Sequence, residues 1–276
     1  MLILSAISND PMGNKFLDVT NSINYLAVKK IIEPYVALPN KRLVFASSCS
    51  IYGDSEGEPK KEFDTLNPLT DYAKSKVAVE KVLQRCDLGN GTTATSLRFA
   101  TACGMSDRLR LDLVLNDFVA SAIINNRIEI LSDGSPWRPL IHVKDMSRAI
   151  EWAILRDKNI STPYLAVNTG SSSWNYQVSE LAKAVANNVS NCEVSVNTQA
   201  LPDKRSYKVN FDPFGSLAPN HTPVYTLQDT ISELIDGISD IRHLISNDFR
   251  ASYFIRLHIL EKHLKNRMLS RDLRWT

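Results

Sequence analysis

The 276-residue sequence predicts an α/β fold, a doubly wound parallel sheet with helices on both of its faces. Three observations predict it. Short apolar runs alternate with longer stretches in which apolar residues recur every three or four positions, the order strand, helix, strand, helix, strand. The short runs are continuous rather than alternating in polarity, which suits strands covered on both faces. With 43% hydrophobic and 22% charged residues, the chain is also long enough for one large or two modest cores.

Met1 to Ile7 is apolar and runs into the polar turn Ser8, Asn9, Asp10, Pro11, so it reads as a buried strand. From 18 to 32, Val19, Ile23, Leu26, Ala27, Val28, Ile31 and Ile32 keep helical spacing, and Pro34 is expected to end that helix. Residues 42–46 form a second strand that opens into Ser47, Ser48, Cys49 and Ser50. A polar connection over 53–68 leads to a second helix, in which Pro68 suits the first turn and Ala73, Val77, Ala78, Val82 and Leu83 face inward. Gly89, Asn90 and Gly91 turn the chain into a strand over 93–99. Beyond Gly104 the pattern predicts a helix over 111–126, a strand over 128–131, a strand over 139–143 and a helix over 145–155. It continues with a strand over 164–168, a helix over 178–189 and a largely helical stretch from 231 onward.

Charge excludes some classes of partner. Lys and Arg number 32 against 30 Asp and Glu, so no overall field favours nucleic acid or an acidic membrane surface. The opening apolar run is too short to span a bilayer and lacks a basic flank. Four widely separated cysteines without C-x-x-C, and five histidines without H-E-x-x-H, predict no metal site and a reduced, cytoplasmic chain. Ten glycines are about half the usual share of roughly 7%, low for a chain that wraps backbone around phosphates.

The chemistry concentrates in Tyr72, Ala73, Lys74, Ser75 and Lys76. Tyr72 and Lys76, four apart on a predicted helix, share one face. A phenol titrates near 10 and is a poor base at neutral pH, but an adjacent ammonium favours the phenolate and makes an acid/base catalyst of it. Ser48, at a strand end, supplies a hydroxyl able to bond the same substrate oxygen. Cys49 reads as a small filler and His142 as a core histidine.

These residues, with SSCSIYG (47–53), LRFATACG (97–104), DGSPWRPLIHVKD (133–145) and LAVNTG (165–170), make the chain similar to the extended short-chain dehydrogenase/reductases, the nucleotide-sugar epimerases and dehydratases. The resemblance implies NAD as cofactor, with NADP not excluded, and a nucleotide-sugar substrate. It implies a catalytic set of Tyr72 as base, Lys76 on the nicotinamide ribose, Ser48 on the reacting hydroxyl, and Asn24. Ser5, Ala6, Asn24, Ser47, Tyr72, Lys76 and Ala100 would lie along the cofactor. Ser48, Thr101, Arg138 and Arg205 would meet the substrate, the arginines at its pyrophosphate. A homodimer is the expected assembly.

Two departures accompany the resemblance. Dehydratases of this family place an Asp-Glu pair where Cys49 and Ser50 stand, which disfavours dehydration here. No G-x-x-G-x-x-G occurs, and the first segment resembles the family's fourth strand, as though about 60 residues of two βαβ steps were absent. The expected architecture is therefore a partial Rossmann-like doubly wound sheet, its first strands missing, with a smaller α+β substrate domain. Residues 1–104 and 140–170 would form the first, and 105–139 and 171–276 the second. Poor solubility or dependence on a partner is expected. Besides epimerisation by transient oxidation, two alternatives fit: an NADPH-dependent keto-sugar reductase, and a non-catalytic remnant that binds sugar nucleotides.

Overall fold

The computed structural model describes residues 1–8, 10–55, 57–157, 162–200 and 206–276. Its first half supplies three of the four strands of the main sheet. Strand β1 (Leu2–Ile3) is followed by α1 (Asp10–Lys15), α2 (Leu17–Asn21), a π-helical turn (Ser22–Ala27) and α3 (Val28–Val36). Then come β2 (Arg42–Ser48), α4 (Asp71–Arg85), β3 (Thr93–Phe99) and the short β4 (Thr101–Cys103). The second half contains α5 (Val114–Asn125), β5 (Arg127–Ile130), β6 (Trp137–His142), α6 (Val143–Leu155), β7 (Tyr164–Thr169), β8 (Asn175–Gln177), α7 (Val178–Ala186) and β9 (Glu193–Val196). Three more helices follow: α8 (Asp212–Leu217), α9 (Leu227–Asp240) and α10 (Arg256–Lys265).

The main sheet has the order β1-β2-β3-β7, every pair parallel, with Ser48 opposite Phe99 and Phe99 opposite Thr169. β3 lies inside it and all seven of its residues are buried, as a strand covered on both faces requires. Alternation along β2 sets the two layers. Leu43 and Phe45 join Val28, Ile32, Val79 and Leu83 on the α3 and α4 side, whereas Val44 joins Leu97, Ala149, Trp152 and Ala153 on the α6 side. A third core is built by α5, α7 and α9 around Leu115, Val119, Leu181 and Leu234. Among the described residues β1 pairs with β2 alone, so its outer edge is open, with Leu2 and Leu4 exposed.

Some expectations shift in position. Pro34 lies inside α3, which continues to Val36. One i→i−4 bond is forfeited there, and complete burial of Ile32 and Val36 offsets it. α4 starts at Asp71 instead of near Pro68, because Thr70 is the N-cap and its hydroxyl accepts the Ala73 N–H at 3.2 Å. The strand predicted over 139–143 does not join the main sheet. As β6 it pairs in parallel with β4 and antiparallel with β8, whereas the segment predicted over 164–168 does join, as β7.

His142 is fully buried and caps α6, its Nδ1 accepting the Lys144 N–H at 3.1 Å. Its Nε2 therefore carries the proton and donates to Glu233 at 2.6 Å. Tyr225 stacks on the ring at 3.9 Å. A core histidine with both nitrogens engaged matches the reading from sequence. Gly104 (φ +98°) makes room for it, since a Cβ there would lie 2.3 Å from His142 Nε2. All four cysteines are unbonded thiols. Cys49 and Cys103 are buried, Cys86 and Cys192 partly exposed.

Candidate active site

The carboxyl ends of the main-sheet strands form one wall of a cleft of about 750 Å³. Leu4, Ala6 and Ser8 come from the β1 end, Ala46, Ser47 and Ser48 from β2, and Phe99 to Ala102 from β3 and β4. Tyr72 and Lys76 reach the same wall from α4. Arg110, Asp117, Glu129, Leu131 and Arg138 also line the cleft. This is where a parallel sheet ordinarily presents its ligand site.

Helical spacing brings Tyr72 and Lys76 together, with the Lys76 Nζ 5.4 Å from the Tyr72 ring centroid. Lys76 is buried, donates to the Ala46 carbonyl at 2.7 Å and lies 4.8 Å from the Phe45 ring. Burial pushes its ammonium down to about 8, against the opposing pull of Glu80. The Ser48 hydroxyl accepts from the Ser50 N–H at 3.2 Å and the Ser50 hydroxyl at 2.9 Å. Its own proton remains for a third partner in the cleft.

Other expected residues take varied places. Ala6, Ala100, Thr101 and Arg138 line the cleft, and Arg138 also donates to the Trp137 carbonyl at 2.9 Å. Ser47 lines it too, but its hydroxyl turns inward to Glu80 at 2.5 Å. Ser5 is exposed outside the cleft lining. Asn24 is buried behind the wall. It accepts the Ile7 N–H at 2.8 Å and donates to the Ile7 carbonyl at 3.0 Å and Ser75 Oγ at 3.3 Å, so it pins the segment after β1 onto α4. Arg205 lies outside the described residues. Cys49 is completely buried and donates to the Arg98 carbonyl at 3.1 Å, and burial pushes its thiol up, as a filler requires.

Three residues were not foreseen. Ser50 lines the cleft and supports Ser48. Arg110 lines it while forking onto Asp112 at 3.0 and 2.7 Å and reaching Ser8 at 3.4 Å. Glu80, one helical turn beyond Lys76, is buried beneath the site and was within reach of the same i,i+4 spacing that found Lys76.

Parallel sheet, strand-end serine and helix-borne tyrosine–lysine pair together define an extended short-chain dehydrogenase/reductase. The model of the NAD dependent epimerase/dehydratase family matches residues 2–170, and the chain belongs to that family. It is similar to the UDP-glucose 4-epimerase of Halalkalibacterium halodurans, 28% identical over 136 residues, covering 44% of this chain and 40% of that one. It also resembles a probable UDP-glucuronate 4-epimerase of Rhizobium meliloti, 31% identical over 170 residues, 55% of this chain and 47% of that one. The matches thus span less than half the length of these relatives. Among solved structures, MoeE5 in complex with UDP-glucose and NAD superposes with a TM-score of 0.73 at 24% identity, covering 88% of this chain and 79% of that one. This last likeness is one of fold.

Proposed function

We propose that the chain is a nucleotide-sugar epimerase, or a closely related oxidoreductase, that oxidises a sugar hydroxyl transiently with Tyr72 as base. The observation that carries the reading is the convergence of Tyr72, Lys76 and Ser48 on one wall of the cleft. Small residues at the strand ends, Ala6, Ala46 and Ala100, leave that wall open to a flat ring, and the Lys76 ammonium sits at its base. The nicotinamide-ribose end of NAD therefore fits this wall. Tyr72, Lys76, Ala100 and the backbone around Ser5 to Ser8, pinned by Asn24, would hold it. The sequence offers the pyrophosphate end no glycine-rich loop. When bound, NAD supplies the acceptor and donor of hydride.

Tyr72, as phenolate, takes the proton of the sugar hydroxyl, and Lys76 stabilises that phenolate. Ser48, polarised by Ser50, donates to the same oxygen and orients it for carbonyl formation. Thr101 lines the same cleft, and the Arg138 guanidinium, also in the lining, suits the diphosphate. Tyr72 then returns the proton to the oxygen as the carbonyl is reduced again, and the carbon would be inverted because the turned sugar offers its opposite face to the hydride that the bound cofactor would give back. Position 50 holds a hydroxyl and position 49 a buried thiol, so water elimination lacks its carboxylates there.

The test is incubation of the chain with NAD and UDP-glucose or UDP-glucuronate, read by proton NMR. Appearance of the 4-epimer without net change in nicotinamide absorbance supports the proposal. Stoichiometric consumption of NADPH on a keto-sugar would point to a reductase. Calorimetric binding of the sugar nucleotide without NAD would point to the non-catalytic remnant. We further propose a cytoplasmic homodimer organised as two domains, 1–104 with 140–170 and 105–139 with 171–276. The unbonded thiols and the separate core around α5, α7 and α9 support this reading, while Tyr207, Val209, Phe211, Phe214 and Ala218 pack into the main-sheet core and tie the second unit to the first.

A further inference from the structure

Beneath the cleft wall lies a buried polar network that the catalytic scheme does not use. The Glu80 carboxylate accepts from Ser47 Oγ at 2.5 Å, and from Arg98 Nε at 3.1 and 3.2 Å and Nη2 at 2.7 Å. Both side chains of this ion pair are more than nine-tenths buried, at 7% and 6% exposure. Arg98 Nη1 donates on to the Tyr52 hydroxyl at 3.0 Å and the Glu62 carbonyl at 2.8 Å. Tyr52 donates to Asn168 Oδ1 at 2.6 Å, and the Asn168 N–H returns to the Glu62 carboxylate at 3.0 Å. One carboxylate on α4 is thus tied to β2, β3, β7 and the 53–68 connection.

Ser47 and Ala46 are consecutive, and the Ala46 carbonyl is the hydrogen-bond partner of the Lys76 ammonium. Glu80 thus reaches Lys76 by two routes, through the β2 backbone and through its charge one turn away on the same helix. Among the described residues no carboxylate lies within ion-pair distance of Lys76, so Glu80 is the nearest source of compensating charge. The groups around Lys76 are Tyr72 and Glu80 from α4 and the Phe45 ring and Ala46 carbonyl from β2, while Arg98 from β3 meets the Glu80 carboxylate. Tyr164, bonded to Ser96 at 3.2 Å, stands beyond Glu80 on β7.

We propose that Glu80 is a positioning residue of the site: its carboxylate, shared between Ser47 and Arg98, fixes the end of β2 and keeps Lys76 an ammonium beside Tyr72. Arg98 moderates it, because the guanidinium draws on the same carboxylate. Burial works against the Arg98 charge, but its hydrogen bonds to Glu80 and the Glu80 charge more than offset this and raise it. The proposal rests on the reading of Tyr72 and Lys76 as the acid/base pair.

The experiment is an NMR titration of isotope-labelled lysine side chains in the full chain, with Lys76 assigned by the signal that Lys76→Met removes. In the unsubstituted chain its midpoint is expected near pH 8. Glu80→Gln should lower the midpoint by about one pH unit, a tenfold loss of proton affinity. Arg98→Met, which leaves Lys76 as the partner of the carboxylate, should raise it. A merely structural network would not move the two midpoints in opposite directions. Unchanged midpoints in folded variants overturn the proposal, and if Glu80→Gln does not fold, Arg98→Met decides alone by the same criterion. The titration uses no substrate, so a failure of this proposal is told apart from inactivity toward sugar nucleotides, which would sink the functional reading on which it rests.

Discussion

Tyr72 and Lys76 place function and stability in opposition. Tyr72→Phe should leave the fold intact and reduce epimer formation by about 10²–10⁴-fold, the usual contribution of a positioned acid/base group, measured by initial rates. Lys76 costs the fold, since its ammonium is held at about 8 against an ordinary 10.5. Between those values the unfolded chain binds more protons than the folded one, so this group's contribution to stability falls as pH drops from 10.5 to 8 and stays low below. Lys76→Met should therefore stabilise the chain at pH 7 by about 2 kcal/mol, read by urea unfolding, while abolishing turnover. The advantage should shrink as pH rises through that window. The pair was legible in the sequence because its two members lie one turn apart. Glu80 stands one further turn along the same face, but its partnerships with Arg98, 18 positions away, and Ser47, 33 positions away, were not legible, because only the parallel sheet creates those contacts.

At the scale of elements, α4 carries both members of the pair, and its start depends on one hydroxyl. Thr70→Ala should cost about 1 kcal/mol by loss of the N-cap, measured by chemical denaturation. Periodicity located α4 and β3 because each presents an unambiguous apolar pattern, and every residue of β3 is buried. It placed both helix boundaries that involve proline a few residues early. Pro34 is overridden by the tertiary burial of Val36, and Pro68 precedes a cap that a better hydrogen-bonding residue supplies. β6 was read as a strand, but no local signal says that it leaves the main sheet to pair with β4 and β8. A substitution in this region tests the close approach at Gly104. Gly104→Ala forces a Cβ against the fully buried His142 ring and should destabilise by about 1–3 kcal/mol or more, detected as a lowered thermal midpoint.

At the scale of the whole molecule, stability should be graded across the main sheet. β1 is two residues long and paired on one side, whereas β3 is paired on both. Amide exchange should therefore be fastest in β1 and slowest in β3. Equal protection of the two would require the outer edge of β1 to be covered in solution, by a second copy or another chain, and sedimentation analysis would separate those cases. The unbonded thiols have a practical consequence for such work. Cys49 and Cys103 are sealed inside and their thiols pushed up by burial, so they should resist alkylation. Cys86, just beyond α4, and Cys192, just before β9, are the partly exposed pair, the first packed against the core of β2, α3 and α4 and the second against the core of α5, α7 and α9. The native chain thus carries two addressable anchors for a fluorescent donor and acceptor, and movement of its halves on ligand binding becomes a distance measurable with no engineered cysteine.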